Sequence, residues 1–193
     1  STARGGIYLA IVLGVVAFAG GILSGDPTRA WGAFLFNLFF FFSIALGCIA
    51  FAGMQDVISA KWGRPIIRLH ESFASFLPIA TIAFVVFLLC ILFGVAGANE
   101  VYIWISNPDM LDHFWGKKDW LKPGLMVGRD IFALLLIGFL ARWQLRLKLE
   151  RDQALIDGEK EKAMELGIAA KAKLRHWSGP ILVIYSIAFS LLA

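Results

Sequence analysis

The sequence predicts an all-α fold, a polytopic transmembrane helical bundle with five spans in one integral membrane domain over residues 1–193. Three observations predict it. Apolar runs close to bilayer length recur over about 7–23, 31–54, 72–98, 124–145 and 177–193. Hydrophobic residues make up 59% of the chain against 17% charged, and the mean hydropathy is +0.75, far from soluble-domain averages. All 7 tryptophans stand near the ends of these runs, where an interfacial aromatic belt would put them. Crossing roughly 30 Å of hydrocarbon takes about 20 helical residues, and only structures that satisfy their own backbone groups are viable in lipid.

The first run follows Arg4 and has the outline of a secretory signal, but it is long for one and four later runs share its character. Ala10-x-x-x-Gly14 and Ala17-x-x-x-Gly21 in this run, and Ser43-x-x-x-Gly47 in the second, offer small faces for close helix packing. The second run also carries Asn37. The third opens at His70-Glu71-Ser72 and contains Ser75, Pro78 and Thr81. The fourth follows Pro123-Gly124, with Arg129-Asp130 about one turn inside its edge. The fifth ends while still apolar at Leu191-Leu192-Ala193, and the chain opens on Ser1 rather than Met. We therefore expect part of a larger bundle.

Two connections are informative. Residues 99–123 include Tyr102, Trp104, Pro108, Asp112, His113, Trp115 and Trp120, too aromatic for a disordered linker and too polar for hydrocarbon. They are expected to form a folded outer cap that touches another subunit or the bilayer edge, or that serves structure alone. Residues 146–176 carry charges of both signs at helical spacing, interrupted by Asp157-Gly158. This pattern predicts two cytoplasmic helices joined at the glycine, a solvated extension with surface ion pairs worth about a few tenths of a kcal/mol each.

With alternating spans, 13 of the 18 Lys and Arg residues fall on the side of the N-terminus and 5 on the other. The positive-inside rule places the N-terminus in the cytoplasm. The net charge of +4 reflects that bias, and no nucleic-acid partner is needed to explain it.

Polar groups inside spans are costly and are functional candidates by default. Glu71, Ser75, Pro78 and Thr81 recur on one helix face and would line a hydrated half-channel; the alternative is that Glu71 caps its helix while Ser75 and Thr81 bond back to their own backbone. Asp130 is either an outer proton acceptor held ionised by Arg129 or one half of a locally neutralised pair, with Arg129 snorkelling to the interface as the structural alternative. Asn37 is expected to bridge to a neighbouring helix, with Ser43 as a weaker companion. His70 joins the proton-path candidates by its place beside Glu71.

No two of the 3 histidines face each other in mid-span, so none can ligate a haem from two helices. Cys48 and Cys90 form no metal or redox spacing and read as small packing residues.

Several stretches, taken together, resemble one family: Asn37-Leu38-Phe39-Phe40-Phe41-Phe42-Ser43, Arg68-Leu69-His70-Glu71-Ser72-Phe73 with Phe76-Leu77-Pro78, Trp120-Leu121-Lys122-Pro123 running to Gly128-Arg129, and His176-Trp177-Ser178-Gly179-Pro180. They are similar to the NrfD-like, or polysulfide-reductase membrane-subunit, superfamily, and most of all to the ActF type of subunit from bacterial alternative complex III. The similarity covers nearly all of the chain. Glu71 and Arg129 match an acidic residue and an arginine of the family's third and fourth spans, although Ser72-Phe73 stands where the family has Ala-Met. His70 has no dependable counterpart, and a stretch that typically follows the family's fifth span is not reached.

The resemblance implies a cofactor-free subunit of a bacterial inner-membrane complex that oxidises quinol or menaquinol nearby. Haem c and iron–sulfur clusters would reside in partner subunits: cytochrome c proteins, an iron–sulfur protein and a NrfD-like paralogue, all in contact with lipids. Proton relay through the bundle's polar residues is one expected role. A purely structural anchor and an independent transporter are the alternatives.

Overall fold

The computed structural model describes residues 2–59, 63–95, 97–113 and 119–192. Lys61, Trp62, Trp115, Lys117 and Lys118, and the side chains of Arg64, Asp112 and His113, lie outside the described residues. Among those described, all regular structure is helical: α1 (Thr2–Leu23), α2 (Pro27–Ile58), α3 (Arg64–Phe73), α4 (Leu77–Leu92), α5 (Ile103–Ser106), α6 (Pro123–Ile156) and α7 (Lys160–Leu192). Short 3-10 turns cover Ala74–Phe76, Asn99–Val101 and Pro108–His113.

Four stretches are long and apolar enough to cross a membrane: Arg4–Leu23, Pro27–Ile58, Ile66–Leu92 and Pro123–Ile156. The expected fourth span is the first part of the much longer α6. The apolar stretch from Trp177 is the second part of α7, whose first part, from Lys160, is charged. The expected third span begins earlier, in α3, and stops at Leu92, because Gly94 and Gly97 take left-handed backbone angles of φ +67° and +80° that end a helix. Gly158, at φ +80°, separates α6 from α7 where the charge pattern predicts a break.

The chain divides into two compact units. The first comprises Ser1–Phe39 and Ala83–Gly128. Asp26 caps α2: its Oδ1 accepts the backbone N–H of Arg29 at 3.1 Å, and Pro27 follows at a position where a missing N–H costs nothing. Trp31 is buried, an edge-to-face neighbour of Phe18 at 5.0 Å and packed on Phe87 at 5.7 Å. Phe87 in turn meets Tyr102, and Tyr102 stacks near Trp104 at 5.0 Å, so part of the expected aromatic cap is folded onto this cluster. Gly97 is required there: a Cβ on it would run into the Pro27 backbone. Thr28 donates a hydrogen bond to the Glu100 carboxylate. Of the small-residue patterns, Ala17-x-x-x-Gly21 is used, with Gly21 against Ala30, whereas Gly14 faces open space.

The second unit comprises Phe40–Ile82 and Arg129–Ala193. Its core is apolar along each helix: Phe42, Ala45, Ile49 and Ala52 of α2, Leu77 and Ala80 of α4, Ala133, Leu134, Ile137 and Ala141 of α6, and Ile181 and Ala188 of α7. Pro78 has no N–H to give, and the chain meets it with the tight turn Ala74–Phe76 just before α4. Gly53 lets α2, α6 and α7 approach, since a Cβ there would sit 3.2 Å from Gln144 Nε2 and 3.8 Å from Ser178 Cβ.

Candidate functional site

Within the second unit, the end of α2, α3, α6 and the charged part of α7 enclose a cavity of about 480 Å³. Its walls hold a linked set of ion pairs. Lys148 Nζ, on α6, lies 2.8 Å from Asp56 Oδ2 of α2 and 2.9 Å from Glu71 Oε1 of α3. Arg68, one turn before Glu71, places Nη1 3.1 Å from Glu71 Oε2 and Nη2 2.6 Å from Asp152 Oδ2. Arg151 donates from Nη2 and Nε to Asp152 Oδ1 at 2.7 and 3.0 Å.

Burial grades across this set. The Glu71 side chain is only 8% exposed, Lys148 12% and Asp56 19%, whereas Arg68 is 47% exposed. The inner members are therefore held in a medium where losing one partner is costly, while the outer ones are screened by water.

Two polar side chains of the wall have no hydrogen-bond partner among the described residues. Gln55 is 3% exposed, and neither its Oε1 nor its Nε2 has a hydrogen bond. The Ser59 hydroxyl is buried and likewise unpaired. Local sequence explains both placements. Ser59 takes a left-handed φ of 51° that ends α2, and the Gln55 carboxamide occupies the space where a Cβ on Gly63 would stand.

A second polar chain lies one helical turn along α6. Tyr185 OH donates to Gln144 Oε1 at 2.9 Å, and Gln144 Nε2 faces Ser178 Oγ at 3.5 Å, all three buried. At the other end of the unit, Arg129 Nε bonds Asp130 Oδ1 at 2.9 Å, and an Arg129 terminal nitrogen donates to the Leu191 carbonyl at 3.2 Å. Asp130 is 5% exposed. The buried residues of α6 between it and Gln144 are Ala133, Leu134, Ile137 and Ala141.

The candidates from the sequence thus separate. Glu71, Arg129 and Asp130 are buried or half-buried and charge-paired. Ser75 is exposed and donates to its own helix at Ser72 O, 2.7 Å. Thr81 points a buried, unpartnered hydroxyl toward Gly138 at 3.9 Å from an ideal Cβ. Asn37 is exposed, and its Nδ2 donates back to Ala33 O at 2.8 Å rather than bridging to another helix, while Ser43 bonds Phe40 O. His70 bonds Ile66 O through Nδ1 and packs on Phe51 at 4.8 Å.

Asp56, Lys148, Asp152, Gln55, Gln144 and Tyr185 are not among the sequence candidates. Lys148 and Asp152 belong to the stretch read as solvated, a reading that Lys148's burial between two carboxylates corrects. Arg146–Glu150 and Glu159–Lys162 are surface pairs of the expected kind. Among the described residues, no group of three or more His, Cys, Asp or Glu side chains is placed to hold a metal ion.

Fold and site define an all-α protein with four membrane-length helices and a charge-lined cavity. No protein-family model matches the chain, and no curated protein matches it significantly.

Proposed function

We propose that the chain is a multi-pass subunit, without a cofactor of its own, of a quinol-oxidising complex similar to alternative complex III in a bacterial inner membrane. In this reading α7 supplies a fifth span from Trp177, the N-terminus is cytoplasmic, and the charged cavity opens on the cytoplasmic side. Haem c and iron–sulfur groups reside in partner cytochrome c and iron–sulfur subunits, beside a NrfD-like paralogue. Quinol or menaquinol is oxidised nearby.

The motif resemblance and the four membrane-length helices support membership of such a complex. One observation favours a supporting role within it. Glu71 is buried between Lys148 and Arg68 and Asp130 beside Arg129, and the buried α6 side chains from Ala133 to Ala141 are apolar. Residues 130 and 148 are about 27 Å apart along α6 at 1.5 Å per residue, farther than a proton moves without intervening water or polar groups. A relay is the second reading, and the buried Gln144–Ser178–Tyr185 chain, one helical turn along α6 from Lys148, favours it.

The test is isolation of the tagged full-length protein from its native membrane. Co-purifying haem c and iron–sulfur subunits are expected, and recovery of the chain alone would reject membership. In the intact complex, Glu71→Gln and Asp130→Asn should lower assembly yield and leave the protons released per electron unchanged. Normal assembly with slowed proton-coupled turnover would favour the relay instead.

A further inference from the structure

We propose that Arg142, Lys171, Lys173 and Arg175, exposed around Trp143 and Trp177, form a headgroup site for anionic phospholipid. This rests on the reading that α7 crosses the membrane from Trp177, and not on membership of a quinol-oxidising complex.

The first observation is height. Gln144 Nε2 lies 3.5 Å from Ser178 Oγ, so their neighbours Trp143 and Trp177 stand level on adjacent helices. From Pro123 to Trp143 α6 climbs about 30 Å at 1.5 Å per residue, the thickness of the hydrocarbon. Both indoles therefore fall where acyl chains give way to headgroups, the depth that tryptophan favours. Trp177 is 51% exposed, and from it to Leu192 α7 carries no charged residue.

The second is charge. Lys171, Lys173 and Arg175 fall within two turns before Trp177, and Arg142 directly precedes Trp143. All are exposed, and none has an ion pair or hydrogen bond among the described residues. After Glu165 α7 has no acidic residue, and α6 has none from Ile131 to Leu149. The acids of the neighbouring cavity are already matched, Asp56 and Glu71 by Lys148, Glu71 and Asp152 by Arg68, and Asp152 by Arg151. Arg146 is taken by Glu150. Leu174 is buried at 3%, so α7 docks along one side and turns its cations out on the others. Long cationic side chains at a membrane edge reach lipid phosphates while their stems stay among acyl chains. A headgroup of net negative charge, such as phosphatidylglycerol, supplies the missing counter-charge, and a zwitterionic one does not.

The test uses the full-length protein reconstituted in phosphatidylcholine vesicles. Part of the lipid is replaced by phosphatidylglycerol or phosphatidylcholine brominated near the top of the acyl chains, and quenching of Trp177 is read as the difference from Trp177→Phe. Brominated phosphatidylglycerol should quench at about fivefold lower mole fraction than brominated phosphatidylcholine. Salt at about 1 M should shrink that advantage. Arg142→Gln, Lys171→Gln, Lys173→Gln and Arg175→Gln together should abolish the preference, and because these side chains are exposed the variant keeps the fold. Lys160→Gln with Lys162→Gln, near Gly158, should leave the preference unchanged. Equal quenching by the two lipids, the result expected if an acidic protein covers this face instead, would overturn the proposal, as would a preference that survives the combined variant. No quenching by either lipid would overturn it in a different way, by showing that α7 does not enter the membrane at Trp177.

Discussion

Lys148 holds Glu71 at 2.9 Å, joining α6 to α3 through a side chain that the charge pattern assigns to water. The same ammonium reaches Asp56 at 2.8 Å, so one cation serves two carboxylates on two other helices.

Removing that cation strands both acids. Lys148→Met should destabilise the second unit by about 3 kcal/mol, the usual cost of leaving a buried charge unpaired. Thermal unfolding in detergent measures it. Adding Glu71→Gln should restore part of the loss, since residues in contact do not contribute additively. A double variant as unstable as the sum of the two single ones would mean that the two side chains are uncoupled.

Gly97 tests the first unit. With φ at +80° and the Pro27 backbone in the way of a Cβ, Gly97→Ala meets both a strained angle and a clash. It should cost about 2 kcal/mol or more. Gly124→Ala, at a helix start facing open space, should leave the melting temperature unchanged or slightly higher. Equal effects at the two glycines would contradict this packing.

Tyr185→Phe removes the donor to Gln144 Oε1 and leaves that acceptor buried and unpaired. The expected cost is about 1–2 kcal/mol. Gln144→Leu in the same chain should recover part of it, because no orphaned polar group then remains in the pair. The comparison is a set of four melting curves.

Asp26→Ala removes the α2 cap and should cost about 1 kcal/mol, whereas Asp26→Asn should keep most of the stability. Hydrogen exchange at the Arg29 amide reads the cap directly: faster exchange in the alanine variant is expected, and an unchanged rate would exclude the bond.

What could be read from the sequence is what depends on neighbours along the chain. The apolar runs in α1, α2, α4 and the first part of α6 are continuous, and Gly158 marks a break by its own backbone preference. The local hydrogen bond of Ser75 follows the same logic, since short hydroxyl side chains reach their own helix, whereas Ser43, expected beside Asn37 in a bridge, turns back to Phe40 O. The charge cluster is different. Arg68 and Asp152 are 84 positions apart, and Gln144 and Tyr185 are 41 apart. Helical periodicity says which residues share a face, and it does not say which faces meet. Lys148 illustrates the gap. It sits in a ladder of alternating charges with Arg146 and Glu150, whose i,i+4 pair is a surface contact, yet it turns to the opposite side of the same helix. Gln55-Asp56, polar residues closing an otherwise apolar run, were the signal that α2 ends against other polar groups.

The length of α6 has a mechanical consequence. Its 34 residues extend about 51 Å at 1.5 Å each, and the hydrocarbon takes up about 30 Å. Roughly 20 Å of unbroken rod is left to stand beyond the lipid, and Lys148 and Arg151 are mounted on it. A push or twist on this projecting mast is delivered to the grip on Glu71 with no flexible joint before Gly158 to absorb it.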